Sequence, residues 1–153
     1  MDNFMHLAIG KAREGIKKGG GPFGACIVRN GEIISCEHNS VVPNCDSTAH
    51  AEINAIRAAD RRLKTVDLSG CTIYSTTEPC PMCFSAIHWA KIGKIVYGTS
   101  TKDAKKAGFN ELVIGDDVLK KLGKSKIKIE KGVMKAECAL LFKEWKASGN
   151  KAY

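Results

Sequence analysis

The sequence predicts an α/β fold with three layers, α/β/α, built around one central mixed sheet of about five strands. Two observations lead to this prediction. A hairpin near the start of the chain requires antiparallel pairing, whereas a strand, helix, strand series over residues 71–97 requires a crossover and therefore parallel pairing. The chain has 153 residues, a length that suits one domain covering residues 1–153.

The first expected elements are a helix and a hairpin. Apolar residues recur at helical spacing over residues 4–18, and the stretch Gly19-Gly20-Gly21-Pro22 ends that helix. Strands over residues 23–29 and 32–37 follow, and they are joined at Asn30-Gly31, a strong local signal for a hairpin. Residues 39–47 are expected to form a loop.

The rest of the chain alternates helices and strands. Three further strands are expected, at residues 71–76, 94–97 and 127–130. Three further helices are expected, over residues 49–62, from Pro79 or Pro81 to residue 90, and over residues 134–146.

The composition argues against a membrane protein and against a secreted disulfide scaffold. No apolar run approaches the roughly 20 residues of a membrane span. The first residues lack the charged region followed by an apolar stretch that is typical of a signal peptide. Seven cysteines are an odd number, so those not assigned to a metal are expected to be small buried hydrophobic residues. We therefore expect a cytosolic protein with no membrane partner.

The formal net charge of +8 raises the question of nucleic acid as a partner. Residues 91–128 hold ten lysines against four acidic residues, which is a face that phosphate binding could use. The lysines are scattered, however, and few aromatic residues lie among them. A solvated lysine surface is the favoured interpretation, and nucleic-acid binding remains the alternative.

The most specific pattern is split between two stretches of the chain. His50-Ala51-Glu52 comes first, and Cys80-Pro81-Met82-Cys83 follows about thirty residues later. One imidazole and two thiolates can hold a zinc ion and leave its fourth position open for water, as catalytic zinc sites do. Glu52 is placed to move the protons of that water. We expect one zinc ion per chain.

Both parts of this pattern are expected to start a helix. Ser47 and Thr48 are candidate caps of the first helix, and proline suits the first turn of the second. The positive ends of both helices would then face the metal and favour thiolate at the two cysteines. The spacing of Cys80 and Cys83 puts both sulfur atoms on one helical face.

Two simpler interpretations of the cysteine pair compete with the catalytic one. The pair could be a redox couple, or half of a structural zinc knot completed by other cysteines. None of the five remaining cysteines forms a second C-x-x-C pattern, however. Neither alternative gives a reason for His50 and Glu52 at a helix start, so the catalytic interpretation is favoured.

The chain resembles the small bacterial guanine deaminases of the cytidine deaminase-like superfamily. The pattern H-x-E followed by P-C-x-x-C is typical of hydrolytic zinc deaminases. The resemblance extends over most of the chain and is carried by residues 20–25, 48–52, 78–83, 86–90, 107–109 and 150–153. It implies the cytidine deaminase-like form of the three-layer fold.

The resemblance also implies the roles of individual residues. His50, Cys80 and Cys83 would be the zinc ligands, and Glu52 would be the catalytic proton shuttle. The implied substrate contacts are Asn39, the backbone of Ala51, Glu111, Phe23, Trp89 and Tyr153. The implied partner is a second copy of the chain in a homodimer, in which a C-terminal segment of about residues 132–153 crosses over and Tyr153 closes the neighbouring pocket.

The substrate contacts have simpler alternatives. Asn39 could be a turn residue that bonds its own backbone, and Glu111 could be a solvated loop acid. Phe23 and Trp89 are as compatible with a core as with a pocket, and a terminal Tyr153 is by default frayed. The other histidines, His6, His38 and His88, are expected to be surface or packing residues.

The expected reaction is hydrolysis of guanine, a small-molecule purine, to xanthine and ammonia. Relatives with the same motifs act on guanosine, cytosine, triazines or the wobble adenosine of tRNA, and these substrates remain alternatives. The tRNA alternative gains support from the net charge and from residues 133–138, which resemble the last helix of those enzymes. A non-catalytic, zinc-stabilised nucleic-acid-binding module is a third hypothesis, but it gives Glu52 no purpose.

Overall fold

The computed structural model describes residues 2–153 and contains one mixed sheet. Its five strands run β1 Gly24–Arg29, β2 Glu32–His38, β3 Cys71–Thr77, β4 Lys94–Thr99 and β5 Lys128–Lys131. The spatial order is β2-β1-β3-β4-β5. Strand β1 is antiparallel to both neighbours, whereas β3, β4 and β5 are parallel. The prediction of a mixed sheet is confirmed, including the parallel pair on either side of the crossover.

Seven helices accompany the strands in the described residues. They are α1 Asp2–Lys17, α2 Val41–Asn44, α3 Ala51–Leu63, α4 Pro81–Trp89, α5 Thr101–Ala107, α6 Asp116–Leu122 and α7 Lys135–Ser148. The three shortest, α2, α5 and α6, were not predicted from the sequence. They are too short to show a helical period, and α5 is instead defined by a capping box between Ser100 and Asp103.

The sheet separates two apolar clusters, which explains the three layers. Alternate residues of a strand point to opposite faces. Ile27, Ile73 and Ile95 face one cluster, to which α3 and α4 contribute. Their chain neighbours, such as Tyr74 and Val96, face the other cluster, to which α1 and α7 contribute. The α/β/α prediction is therefore confirmed, and both helices that carry the metal motif lie on the same side of the sheet.

The hairpin turn follows directly from its two residues. Asn30 and Gly31 both have positive φ, 51° and 77°. A two-residue hairpin of this type requires positive φ at both positions, and asparagine and glycine tolerate it best. The turn therefore sets the pairing of β1 with β2.

The spare cysteines differ from expectation. Cys71 and Cys138 are buried, as expected, but Cys45 is exposed. Cys26 and Cys36 form a disulfide between β1 and β2, because they are direct partners in the register of the two strands and so bring their side chains together.

Within residues 2–153, no helix has the length and apolar character needed to cross a membrane.

The C-terminal segment packs on its own chain. Helix α7 contributes Leu141 and Trp145 to the same cluster as Ala8 and Ala12 of α1. Beyond it, the Asn150 amide donates hydrogen bonds to the carbonyl oxygens of residues 16 and 20, at 2.7 and 3.2 Å. Exchange of residues 132–153 between two subunits stays a prediction.

We predict that Gly24→Ala destabilises the fold whereas Gly10→Ala does not. A Cβ at Gly24 would lie 2.0 Å from the Ala8 carbonyl oxygen of α1, which is backbone and cannot move aside, whereas a Cβ at Gly10 meets nothing within 4 Å. Overpacking of this kind costs about 1–3 kcal/mol, while alanine in a helix interior stabilises by up to about 1 kcal/mol. Thermal unfolding measures both, and equal melting temperatures would contradict the close contact of α1 with β1.

Candidate active site

Two helix starts meet at the site. The N-cap of α3 is His50 and the N-cap of α4 is Cys80, and both have extended backbone. Neither side chain caps its own helix, because the two side chains turn toward each other instead. Ser47 and Thr48 were expected as caps, but Thr48 donates its backbone N–H and its hydroxyl to Asp46.

The three candidate ligands form a cluster that fits a zinc ion. The Nδ1 atom of His50 lies 3.6 Å from the sulfur of Cys80 and 3.5 Å from the sulfur of Cys83. A tetrahedral zinc ion at usual bond lengths separates its nitrogen and sulfur ligands by about 3.6 Å. In the part of the chain that the structure describes, these are the residues whose ligand atoms group closely enough to hold a metal ion. The set leaves one of four positions for water or substrate.

The pKa values of the Cys80 and Cys83 thiols shift in opposite directions because the two groups share a hydrogen bond. The hydrogen bond from the Cys83 thiol, together with His50, lowers the pKa of Cys80 to about 4. The same hydrogen bond and burial raise the pKa of Cys83 above its ordinary value. Since zinc binds thiolates, a metal ion entering this cluster must displace the remaining proton.

Glu52 lies next to the cluster and is held by neighbouring polar groups. Its side chain is buried, and burial raises the pKa of its carboxyl. The Ser75 hydroxyl donates to Oε1 at 2.9 Å, and the sulfur of Cys83 lies 3.4 Å from Oε2. Sequence reasoning missed Ser75. The available signal was a polar residue on a buried strand, two positions after Ile73 and therefore facing α3.

A small cavity opens beside the cluster and brings most of the predicted contacts together. It measures about 30 Å³, room for a water molecule but not for a purine ring. Its lining includes the predicted residues Phe23, Asn39, His50, Glu52, Cys80, Glu111 and Tyr153. It also includes Thr77, Glu78 and Phe109, which were not predicted as site residues.

Asn39 makes the contacts of a turn residue and also faces the cavity. It is fully buried, and its Oδ1 accepts from the backbone N–H groups of Gly21 and Val41, each at 3.2 Å. Its Nδ2 points the other way, into the cavity, and donates to the Tyr153 hydroxyl at 2.5 Å. The turn contacts therefore fix the amide so that its donor faces the cavity.

Glu111 brings an unsatisfied acceptor to the cavity. Its Oε1 is buried and has no hydrogen-bond partner within residues 2–153. Burial, followed by the charges of Cys80 and Glu52, raises the pKa of this carboxyl to about 7. A buried acceptor without a partner is costly, so a ligand that donates here gains by satisfying it.

Aromatic rings enclose the cavity from two sides. Phe23 contacts Phe109 and Phe142, with ring centroids 5.0 and 5.9 Å apart, so it belongs to both core and pocket wall. Tyr153 lies 5.8 Å from the His50 ring, and its carbonyl accepts from the Asn110 N–H at 2.9 Å. The terminal tyrosine is therefore packed over the site.

The structure does not bring Trp89 to the cavity. Trp89 is 77% exposed and lines a separate groove between α4 and α6, together with Leu122. It ends α4, six residues after Cys83, which places it roughly 9 Å further along the helix axis. The backbone of Ala51, another predicted substrate contact, lies at the start of α3. Because the first N–H groups of a helix have no partner within the helix, this N–H is available to a ligand.

Comparisons with known proteins agree with this geometry. Residues 1–99 match the family model of the cytidine and deoxycytidylate deaminase zinc-binding region. The guanine deaminase of Bacillus subtilis is 42% identical over 118 residues, 76% of each chain. A tRNA-specific adenosine deaminase of Buchnera aphidicola is 40% identical over 136 residues, 89% of this chain and 87% of the relative.

A solved structure extends the agreement to the fold. The guanine deaminase of Nitrosomonas europaea superimposes with a TM-score of 0.88 at 30% identity, over 95% of this chain and 84% of that one. Together with the buried His, Cys, Cys cluster and the glutamate beside it, these matches define the chemistry. The chain belongs to the cytidine and deoxycytidylate deaminase zinc-binding family and is a zinc-dependent hydrolytic deaminase.

Proposed function

We propose that the protein hydrolyses guanine to xanthine and ammonia with one zinc ion per chain. One observation carries the choice of substrate: the unpartnered Glu111 acceptor shares a small cavity with Glu52 and the ligand cluster. Guanine presents a ring N–H beside the carbon that bears its amino group. An acidic acceptor next to the reacting position therefore suits this base.

The proposed chemistry assigns each nearby side chain one task. His50, Cys80 and Cys83 hold the zinc ion, which supplies a Lewis acid that makes water nucleophilic at neutral pH. Glu52 takes one proton from the attacking water and delivers it to the ring nitrogen. It then takes the second proton from the hydroxyl group added to the ring carbon and delivers it to the departing ammonia. Burial and the Ser75 hydroxyl keep its carboxylate in one position.

Recognition of the ring falls to residues on the opposite side of the cavity. Glu111 accepts a hydrogen bond from the ring N–H. The Asn39 amide donates to a ring acceptor once its hydrogen bond to the Tyr153 hydroxyl is broken. Phe23 provides an apolar wall, and the N–H of Ala51 is available at the helix start. Trp89 has no part in this proposal, since it lies outside the cavity.

Deamination of adenosine in tRNA is the second candidate. It is favoured by the net charge of +8 and by the lysine-rich residues 91–128. Against it, Glu111 would bring an acidic side chain beside the RNA phosphates that accompany a flipped base. Guanosine, cytosine and triazines remain weaker alternatives, and a non-catalytic zinc module has no use for the buried Glu52.

The assembly and compartment also belong to the proposal. We propose that residues 1–153 form one catalytic domain that pairs as a homodimer, with Tyr153 as a lid over the purine. Positive φ at Gly132 and Met134 marks a bend at which residues 132–153 could separate from their own subunit. The cytosol is the proposed compartment, because Cys80 and Cys83 must remain reduced to bind a metal, although the Cys26–Cys36 disulfide is a bond more usual in oxidising compartments.

We predict that Glu52→Gln keeps about one zinc per chain but lowers turnover by at least about a hundredfold, since a general base and acid is lost. Metal analysis and ammonia release measure the two properties on the same sample. Ser75→Ala should lower turnover less than Glu52→Gln does, because it removes one hydrogen bond to Glu52 and leaves the carboxyl in place. Loss of zinc from Glu52→Gln would make this residue a ligand and contradict the assignment.

A substrate panel tests the identity of the base. Ammonia release should be faster from guanine than from guanosine, cytosine, cytidine, a triazine or adenosine in a tRNA anticodon stem-loop. Glu111→Gln should raise the KM for guanine about tenfold or more, because an amide can turn a donor toward the ring N–H. Activity on RNA alone would overturn the guanine proposal, whereas preference for another small base would change only the substrate.

Removal of residues 150–153 should lower activity on guanine about tenfold while zinc content and melting temperature change little. The reason is loss of the Tyr153 cover, which excludes bulk water from the reacting atoms. A mixture of truncated chains with Glu52→Gln chains then identifies the donor of the lid. Recovery of activity would show exchange between subunits, whereas no recovery would show that Tyr153 covers its own site. Full activity after truncation would rule out the lid.

A further inference from the structure

Glu78 carries a buried carboxylate that is fully engaged by the protein. Its side chain is 8% exposed. Oε1 accepts from the backbone N–H and the hydroxyl of Thr101, at 3.1 and 3.2 Å. Oε2 accepts from the hydroxyl of Tyr97 at 3.2 Å and from the backbone N–H of Asp116 at 3.0 Å. With four donors on two oxygens, Glu78 has no acceptor left for a substrate, although it borders the cavity.

The donors to Glu78 bracket the segment that carries Glu111. Thr101 begins α5 and Asp116 begins α6. Between these helices, residues 108–115 have no regular structure and bring Phe109 and Glu111 to the cavity. One carboxylate therefore anchors the helix on each side of this irregular segment.

Glu78 is at the same time joined to the metal cluster by the chain. It lies two residues before Cys80, and its own N–H donates to the Thr99 carbonyl at 2.7 Å. The loop that leads to Cys80 and the segment that bears Glu111 are thus connected through the carboxylate of Glu78. Movement of one relative to the other requires breaking its hydrogen bonds.

The bonding pattern requires a carboxylate at this position. Each oxygen accepts from a backbone N–H, so an amide would place its NH₂ group against a donor on one side or the other. The carboxyl of Asp116 does not compete as a second charge, because burial and the Glu78 charge raise its pKa to about 9. One buried negative charge, surrounded by donors, is the arrangement that results.

We propose that Glu78 is a positioning residue that sets the distance between the substrate acceptor Glu111 and the metal ligands, and thereby sets recognition of the base. This inference rests on the proposed function for the role of Glu111. Glu78 itself has no free acceptor to offer a substrate and is not part of the ligand cluster. It acts by holding the starts of α5 and α6 against the loop that ends in Cys80.

Hydrogen exchange of the substrate-free, zinc-loaded protein tests the anchoring directly. Glu78→Gln should increase amide exchange over residues 108–118 at least tenfold and leave residues 72–76 of β3 unchanged. Tyr97→Phe is the matched control, because it removes one donor and keeps both backbone N–H bonds, so exchange at residues 108–118 should stay near that of the parent. Unchanged exchange in Glu78→Gln would overturn the proposal, and this measurement needs no substrate.

A second pair of variants covers the case in which Glu78→Gln does not fold. Asp116→Pro removes the N–H that Glu78 accepts, and proline suits the first residue of a helix after the extended backbone of Gly115. Asp116→Ala keeps this N–H and removes only the carboxyl. Faster exchange over residues 108–115 in Asp116→Pro than in Asp116→Ala supports the anchor. Equal exchange in the two variants would overturn it.

A double-mutant cycle with Glu111→Gln separates positioning from general stability. On the best substrate of the panel, Glu78→Gln should lower kcat/KM about tenfold through KM, with zinc retained. In the Glu111→Gln background the same change should cost less than about threefold, because the residue being positioned is already altered. Additive losses would overturn the proposal. A different best substrate would alter the proposed function but leave the exchange result standing.

Discussion

The site depends on one constraint, the meeting of two helix starts on the same face of the sheet. His50 and Cys80 are the residues at which α3 and α4 begin, and both have extended backbone. The antiparallel β1 and the parallel β3 and β4 bring α3 and α4 to one side of the sheet, where both contribute to one apolar cluster. Because the first N–H groups of a helix have no internal partner, this meeting point favours thiolates and other anions.

Around the metal cluster, hydrogen bonds hold each polar side chain in one orientation. Ser75 holds Glu52, the N–H groups of Gly21 and Val41 hold Asn39, and four donors hold Glu78. Among the side chains that line the cavity, Glu111 is the exception, since its Oε1 has no partner in the described residues. A cavity with held polar side chains and an unsatisfied acceptor on its wall is the arrangement expected of a binding site whose partner is a substrate.

The sequence was sufficient for elements defined by local rules. Asn30-Gly31 predicted the hairpin, and periodicity together with helix-start residues predicted five strands and four of the seven helices seen in residues 2–153. The sequence was insufficient where tertiary contacts decide. Ser75 is a polar residue in a buried strand, and only its contact with Glu52 reveals its importance. Trp89 was expected near the substrate from the resemblance, but it lies at the end of α4 and outside the cavity. Helices α2, α5 and α6 are too short for any period to appear.

The central claim is that His50, Cys80 and Cys83 form an open metal centre with three protein ligands. X-ray absorption at the zinc edge of the purified, zinc-loaded protein tests it most directly. The account predicts two sulfur ligands at about 2.3 Å and two nitrogen or oxygen ligands at about 2.0 Å. Four coordination positions with three or four sulfur atoms would describe a closed structural site and would contradict the claim.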